Sequence, residues 1–474
     1  MRAGAAFLLL LLNFLNLPVF GQSPWTLEHC IQYAQEHNLT LLQGRLNLMQ
    51  SAQNARQSKL NFLPTLNGST NYGFSFGHNI DPTSNQYLST NYQSASFSLT
   101  AGLILFDGLQ KQNTLKENNF NLLAAQSNFQ KLSNDVSLNI AAAFLQVVYA
   151  KENLHNAVQQ KAITEAQLEN TRTLVNAGVL AVGNQLDLES QLSQQELNRV
   201  TADNAYTSAR LSLSQLLNMD SLITLSVPDL SVPKEDYFKP DLNPENIYQS
   251  ALKSQPQIAA SQYALQAAQK GWSVAKGRLY PSLSFYGSLS TNYSNAVKHI
   301  TGIDTSGYHT VGVVQSSFEP VIAPDFSYSF APTPFHTQFT DNFGQSFGFS
   351  LSIPLFDAWS THYGINTAHI GVLNAQYNLE QAEWQLKTDV QKAFADVVAG
   401  RNKYEAALKN ESAVEKSFDY AKQKMDGGLI SSLDFNVAQN NLVLEQSQVL
   451  QSRYDYIFKI KILDFYLGKP ISLQ

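Results

Sequence analysis

Residues 97–108 read FSLTAGLILFDG, and residues 347–358 read FGFSLSIPLFDA. Each stretch alternates apolar and small residues and stops on Leu-Phe-Asp, followed by Gly108 in one copy and Ala358 in the other. A period of two predicts a strand with one apolar and one small polar face. The Asp and the small residue after it predict a turn into the next element. The same phrase twice, 250 positions apart, predicts a duplicated chain.

Other segments repeat in the same order. SKLNFLPTLNGS from Ser58 answers to AKGRLYPSLSFY from Ala275, which pairs Pro64 with Pro281, and NAGVL at Asn176 answers to DGGLI at Asp426. Pro64 to Leu105 spans 41 positions whereas Pro281 to Leu355 spans 74, so the second half carries 33 extra residues, expected as a loop. Each half reads as a helical lead-in, an outgoing strand, a return strand and a long helical hairpin. The predicted organisation is a signal peptide over 1–22 and a first repeat over 23–219, with a β-hairpin at 64–106 and a helical hairpin at 110–218. A linker over 220–243 leads to a second repeat over 244–467, with a β-hairpin at 281–356 and a helical hairpin at 359–466, and a tail over 468–474.

The strands assign their own faces. Leu66, Thr70, Tyr72, Phe74 and Phe76 fall on one side of the first strand, with Asn67, Ser69, Asn71 and Ser75 on the other. Phe97, Leu99, Leu103 and Leu105 oppose Ser96, Ser98 and Thr100 in the return strand, and Leu283, Phe285, Leu289 and Tyr293 with Phe343, Phe347, Phe349, Leu351 and Ile353 repeat the apolar side in the second half. Such alternation suits a sandwich face as well as a membrane barrel with a wet lumen. The polar side is Ser, Asn, Thr and Gly with almost no charge, which favours the barrel. Four strands cannot close, because about eight is the working minimum. The chain is therefore expected to oligomerise: a dimer supplies eight strands and a trimer twelve, and only the larger leaves an obvious open channel.

The start, MRAGAAFLLLLLNFLNLPVFGQS, has a basic Arg2, an apolar run from Ala5 to Leu15 and small residues near Val19 and Gly21, the pattern of a cleavable secretory signal. Cys30, the single cysteine, is misplaced for lipid acylation and makes no internal disulfide. No later run of 18 apolar residues supplies a spanning helix, so bilayer entry requires strands of a closed barrel. A net charge of −6 with scattered Lys and Arg argues against a nucleic-acid partner.

From Gln110 to Asn176 there is neither Gly nor Pro, and Leu115, Leu122, Phe129, Val136, Ala143, Ala150 and Ala157 recur every seven residues, the coiled-coil spacing. At about 1.5 Å per residue that helix runs on the order of 100 Å. The counterpart from Trp359 to Met425 keeps the step at Val390, Val397, Tyr404, Phe418 and Met425, with Glu411 intruding. Asn184 with Asp187, and Ser431 with Asp434, each fit an N-cap followed three positions later by an acid. Gly178 and Gly428 fit helix-ending glycines. Of the nine histidines none lies in an HExxH motif or a tight cluster with Cys30, and all read as structural or surface residues. Trp25, Trp272, Trp359 and Trp384 read as rim anchors or helix packing residues, with Trp359 the best placed for a membrane interface.

LILFDG and SIPLFDA, the unbroken helices behind them, the turns AGVL and GGLISSLDF and the closing DFYLGKPISL together resemble the TolC-like outer membrane efflux family over essentially the whole mature chain. The resemblance implies an α+β membrane protein: a trimeric, shared twelve-stranded β-barrel with four strands per chain, continued by a long α-helical coiled-coil tunnel through the periplasm. It implies an outer-membrane channel component of a tripartite efflux or export system, partnered by a periplasmic adaptor, an inner-membrane pump and outer-membrane lipid, with no cofactor. It places adaptor contact at Gly178, Val179, Leu180, Gly428, Leu429 and Ile430, and a periplasmic gate at Asp434 with Asp187 as its first-half counterpart. Val437 stands where some relatives carry a second aspartate, and Ile430 where they carry an arginine. A duct for type I protein secretion and a non-porous coiled-coil surface protein remain as alternatives, and no nucleophile, metal or phosphate motif suggests an enzyme.

Overall fold

The computed structural model describes residues 25–80, 85, 87, 88, 91–220 and 243–469. The predicted signal peptide, residues 221–242 of the linker and residues 470–474 lie outside them. The chain divides into two compact units: one takes Gln53–Asn119 and Ala267–Val372, the other Met1–Ala52, Phe120–Gln266 and Leu373–Gln474.

The first unit is built on strands β1 (Thr65–Ser75), β2 (Asn79–Ile80), β3 (Tyr87–Leu88), β4 (Tyr92–Phe106), β5 (Ser282–Ser294), β6 (Lys298–Val313), β7 (Pro320–Pro332) and β8 (Gly344–Ser352). Its main sheet has the antiparallel order β1-β4-β5-β8. The register lines up the faces read from the sequence. Thr70 opposes Phe97, which opposes Thr291; Leu99 opposes Leu289, and Phe285 opposes Phe349. On the other face Asn67, Thr100, Ser288 and Ser346 form one row and Ser69, Ser98 and Ser290 another. A slip of one residue would mix the two surfaces, so the contrast between the apolar and the polar face specifies the pairing.

The extra residues of the second half are ordered, which corrects their reading as a loop. β6 and β7 pair into a separate two-stranded ribbon, with register shifts between Ile300 and Gly302, Thr305 and Gly307, and Thr310 and Gly312. A bulge every five residues interrupts the two-residue alternation, which is why no strand pattern stands out there.

The doubled LFD phrase acquires a physical role at the strand-to-helix junction. Gly108 and Leu109 have φ of 67° and 64°, and Ala358 and Trp359 have 53° and 71°, so two successive residues turn left-handed in each copy. The aspartate then caps the following helix. Asp107 Oδ2 accepts the Lys111 N–H at 3.1 Å, and Asp357 Oδ2 accepts the Thr361 N–H at 2.8 Å together with the Thr361 hydroxyl. Those bonds from Thr361, hydroxyl first, hold the Asp357 carboxyl below its usual range.

The helices are α1 (Leu27–His37), α2 (Leu39–Leu60), α3 (Gln110–Asn176), α4 (Val182–Leu216), α5 (Pro244–Ser254), α6 (Pro256–Gly277), α7 (Phe335–Asp341), α8 (Ser360–Asp426) and α9 (Ser432–Tyr466). Each lead-in, read as one helix, is two. Asn38 closes α1 through its N–H to Ala34 O, starts α2 by accepting from the Thr40 and Leu41 N–H groups, and donates from Nδ2 to Leu216 O at 2.8 Å. Gln255 closes α5 in the same way before Pro256, through its N–H to Ala251 O, and donates from Nε2 to Phe465 O at 3.3 Å. A side-chain amide in each half thus bonds a carbonyl at the end of a long hairpin: at Leu216 it meets a helix-end carbonyl, while Phe465 O also accepts the Gly468 N–H at 3.0 Å.

Two apolar clusters hold the helical unit. One gathers Ile140, Phe144, Val147 and Val148 of α3 with Leu213, Leu217, Leu27 and Cys30, and the other gathers Leu386, Val390 and Val397 of α8 with Ile460, Leu463, Ile247 and Ile258. Ala150, Val390 and Val397 of the seven-residue stripes are buried. Burial pushes the Cys30 thiol up to about 12, which leaves it an unreactive core residue.

Candidate functional site

The far ends of the two helical hairpins share one backbone solution. At the first, the Gly178 N–H donates to Val175 O at 2.9 Å and the Val179 N–H to Leu174 O at 2.9 Å. At the second, Gly428 donates to Met425 O at 3.0 Å and Leu429 to Lys424 O at 2.8 Å. Both glycines are left-handed, with φ of 75° and 70°. This paired bonding is the Schellman closure, which needs a residue without a Cβ penalty at the left-handed position. The residue after each glycine is apolar and open to solvent: Val179 is 67% exposed and Leu429 77%. Leu180 and Ile430 are half-buried beside them.

The helices restart differently. Ser431 caps α9: its Oγ accepts the Asp434 N–H at 3.1 Å and donates to Asp434 Oδ2 at 2.8 Å. α4 begins at Val182 behind Ala181, which offers no side-chain cap. Asn184 is therefore the third residue of that helix and not its cap, which corrects the expected pairing with Asp187. Measured from the shared glycine, Asn184 stands where Asp434 stands and Asp187 where Val437 stands. The two carboxylates thus occupy different helical positions, three residues or roughly 4–5 Å of rise apart. Both are exposed.

Behind the first tip, charges tie α3 to α4. Arg172 Nη2 meets Glu189 Oε1 at 3.0 Å, and Lys161 Nζ meets Glu196 Oε2 at 3.1 Å, with Arg199 also on Glu196. Arg199 and then Lys161 pull the Glu196 carboxyl down to about 2 from 4.5. A depressed carboxylate contributes stability that is present above its unfolded value and lost as pH falls toward the folded one. The exchange protection of amides in this hairpin is expected to hold above about pH 4.5 and to decline between there and about 2. Glu196→Gln is expected to flatten that decline in a hydrogen-exchange series; an unchanged profile would show that these contacts do not hold the hairpin.

The buried seam between helices of the two halves is partly amide. Gln191 Nε2 donates to Gln439 Oε1, Gln439 Nε2 to Gln160 Oε1 and Gln195 Nε2 to Asn440 Oδ1, each at 3.3 Å. Gln195 is 1% exposed and Gln439 2%. Sequence reasoning missed this seam, although Leu188, Gln195, Ala202 and Ala209, all buried, recur every seven residues. A glutamine on an apolar heptad stripe was the available signal.

The sheet presents the other candidate surface. Its polar face carries rows of hydroxyls, with Ser69 Oγ 2.7 Å from Ser98 Oγ. Tyr286 lies across Gly348, where a Cβ would come 2.7 Å from the phenol oxygen. This uncharged polar face, opposite a largely apolar one, suits a lumen. Trp359 is 64% exposed and stacks on His362, while Trp272 packs against Lys276 and His369. No group of His, Cys, Asp or Glu suited to a metal occurs among the described residues.

The family model described as outer membrane efflux protein matches residues 30–219 and 247–469. The chain belongs to that family. The outer membrane efflux protein BepC of Brucella suis is 21% identical over 433 residues, covering 91% of this chain and 83% of that protein. The outer membrane protein TolC of Escherichia coli K12 is 22% identical over 404 residues, covering 83% and 72%. The crystal structure of the outer membrane protein VceC from Vibrio cholerae superposes with a TM-score of 0.72 at 15% identity, covering 94% of this chain and 96% of that one. As an outer membrane efflux protein, the chain is an outer-membrane channel component of an efflux system, with a periplasmic helical extension.

Proposed function

We propose that three copies of this efflux protein pool their sheets into one barrel and form the exit duct of a tripartite system, docked to a periplasmic adaptor and fed by an inner-membrane pump. The observation that carries the assembly is the pair of open edges: the sheet ends at β1 on one side and β8 on the other, with no further strand on either among the described residues. An unpaired edge within a membrane is not sustainable, because lipid offers no partner for its N–H and C=O groups. Pairing β1 of one copy with β8 of the next satisfies both, and three copies give twelve strands.

In this assembly the exposed apolar residues Val179 and Leu429, with Leu180, Ile430 and the turn-forming Gly178 and Gly428, meet the adaptor, since exposed apolar groups beside a helix end require a partner surface. Asp434 and Asp187 contribute two carboxylate rings at different depths of the periplasmic entrance and favour cationic or neutral cargo. The test is planar-bilayer recording on purified protein. Trimers that conduct, with Asp434→Ala raising conductance by roughly a factor of two or more and reducing cation preference, support the reading. Monomers without conductance, wild type or Asp434→Ala with Asp187→Ala, would overturn it.

A further inference from the structure

The ribbon β6–β7 has a side that a bare duct does not use. Thr301, Ser306 and Val311 of β6 fall between paired positions, one at each register shift. The Thr301 and Ser306 hydroxyls donate to the facing strand, to Ser329 O at 3.2 Å and to Asp325 O at 3.1 Å. Each extra residue resets the two-residue alternation. Ile300, Ile303, Tyr308 and Val313, which plain alternation would divide between both sides, are thereby gathered on one. Ile322, Phe326, Tyr328 and Phe330 of β7 lie on that same side. All of these residues are between 49% and 67% exposed. From Ile300 to Val313 and from Pro320 to Phe330 this side carries no charged residue, whereas Asp304, His309 and Asp325 lie on the other, with His309 Nδ1 2.6 Å from Asp325 Oδ1.

One buried amide holds both feet of the ribbon. Gln338, 2% exposed, donates from Nε2 to Ser294 O at 2.8 Å and to Thr333 O at 2.9 Å, and its Oε1 accepts the Ser294 N–H at 2.9 Å. Asn295 Oδ1 accepts the Gln93 N–H at 2.8 Å, which ties the same feet to β4. The ribbon therefore leaves the rim of the sheet at a fixed place. Lipid does not cover its apolar side, because β6 and β7 have no third strand on either flank among the described residues and hydrocarbon would leave both flanks unbonded. At about 3.4 Å per residue, the 13 residues of β7 give a side roughly 44 Å long and about 10 Å wide. A contiguous apolar surface of about 440 Å² calls for a partner. Three copies on one axis bring three such sides, about 1,300 Å² in all, which reaches the range of a stable interface. Charge decides which sides meet: the polar sides would gather the Asp304 and Asp325 carboxylates of every copy, and the apolar sides gather none.

We propose that, in the three-copy assembly on which this inference rests, the ribbons close apolar side to apolar side on the common axis and cap the outer mouth of the duct. Rooting at one rim keeps each ribbon at high effective concentration for the other two. In a Cys30→Ala background, Phe326→Cys on the apolar side is compared with Ser327→Cys on the polar side after mild oxidation of the membrane-inserted protein. Disulfide-linked pairs of chains are expected to be roughly fivefold or more abundant at position 326 than at 327. With Asp434→Ala added to open the far end, reduction of the linked Phe326→Cys protein is expected to raise its conductance by roughly a factor of two or more. Equal linkage at both positions, absence of linkage at 326 in protein that light scattering shows to be trimeric, or a conductance indifferent to reduction would overturn the proposal. Monomers in the same light-scattering measurement would instead fail the assembly itself, so the two failures are distinct. Ile303→Cys and Asp304→Cys repeat the comparison on β6 if the β7 variants do not fold.

Discussion

Gly108→Val is expected to remove most folded protein, at a cost of roughly 2–5 kcal/mol from forced overlap together with left-handed strain. A Cβ at Gly108 would lie 2.2 Å from Gly277 O and 2.9 Å from Tyr280 Cβ, and the residue sits at φ 67°. Gly277 is equally confined: its Cβ would come 2.8 Å from Gly108 O and 2.5 Å from Gln110 Cγ. The two glycines therefore let two backbones touch where the first strand pair turns into α3. No flexible side chain is available to yield at the carbonyl, so the clash must move main chain. The second half accepts Ala358 at the equivalent place with φ 53°, and Ala358→Gly is expected to be net stabilising by up to about 1 kcal/mol, since relief of a left-handed penalty of roughly 1–2 kcal/mol outweighs the about 0.4–1 kcal/mol that glycine costs through the unfolded chain. Thermal unfolding of the purified variants measures both. Wild-type melting of Gly108→Val would refute the contact.

Much of this fold is legible because its periods are long and clean. The main strands keep alternation over nine to fifteen residues, so Thr70, Phe97 and Thr291 fall into one row without reference to the turns. The 67-residue helices announce themselves by the absence of proline and, in α3, of glycine. What is not legible depends on partners distant in sequence. Nothing near Asn38 says that its amide will meet Leu216 O, 178 positions away. The Asn184 cap fails for a related reason: both tips fit the local cap spacing, but the Schellman closure sets where the next helix starts, and at the first tip it starts behind Ala181. The ribbon β6–β7 escapes because each bulge shifts the alternation by one residue. The tip residues and the strand faces are readable from composition, whereas the buried amides Gln191, Gln195 and Gln439 look, one at a time, like surface residues.

Phe144→Ala is expected to destabilise by about 3–5 kcal/mol, because a fully enclosed ring loses its transfer free energy and leaves a cavity that rigid helices cannot collapse. Phe144 is 0% exposed, in the cluster where α3 meets Leu27 and Cys30 of α1, Leu213 of α4 and Tyr454 and Ile457 of α9. Helices from both halves contribute, so the loss should appear as a lower melting temperature for the whole helical unit and not as fraying of one hairpin. The same substitution at Phe356, which is 85% exposed within the LFD phrase, is expected to change stability in detergent by less than about 0.5 kcal/mol. Calorimetry on the two variants isolates burial from residue type, since each removes one phenyl ring. If both melted alike, the cluster around Phe144 would not be what holds α1, α3, α4 and α9 together. The contrast also bears on how the duct is held: Phe144 stands between the heptad positions Val136, Ala143 and Ala150, where the stripe read from the sequence widens to receive the lead-in helix. A coiled-coil seam alone buries a narrow line. At this level the added contacts from α1 turn the seam into a core, and its removal tests whether the long helices depend on it.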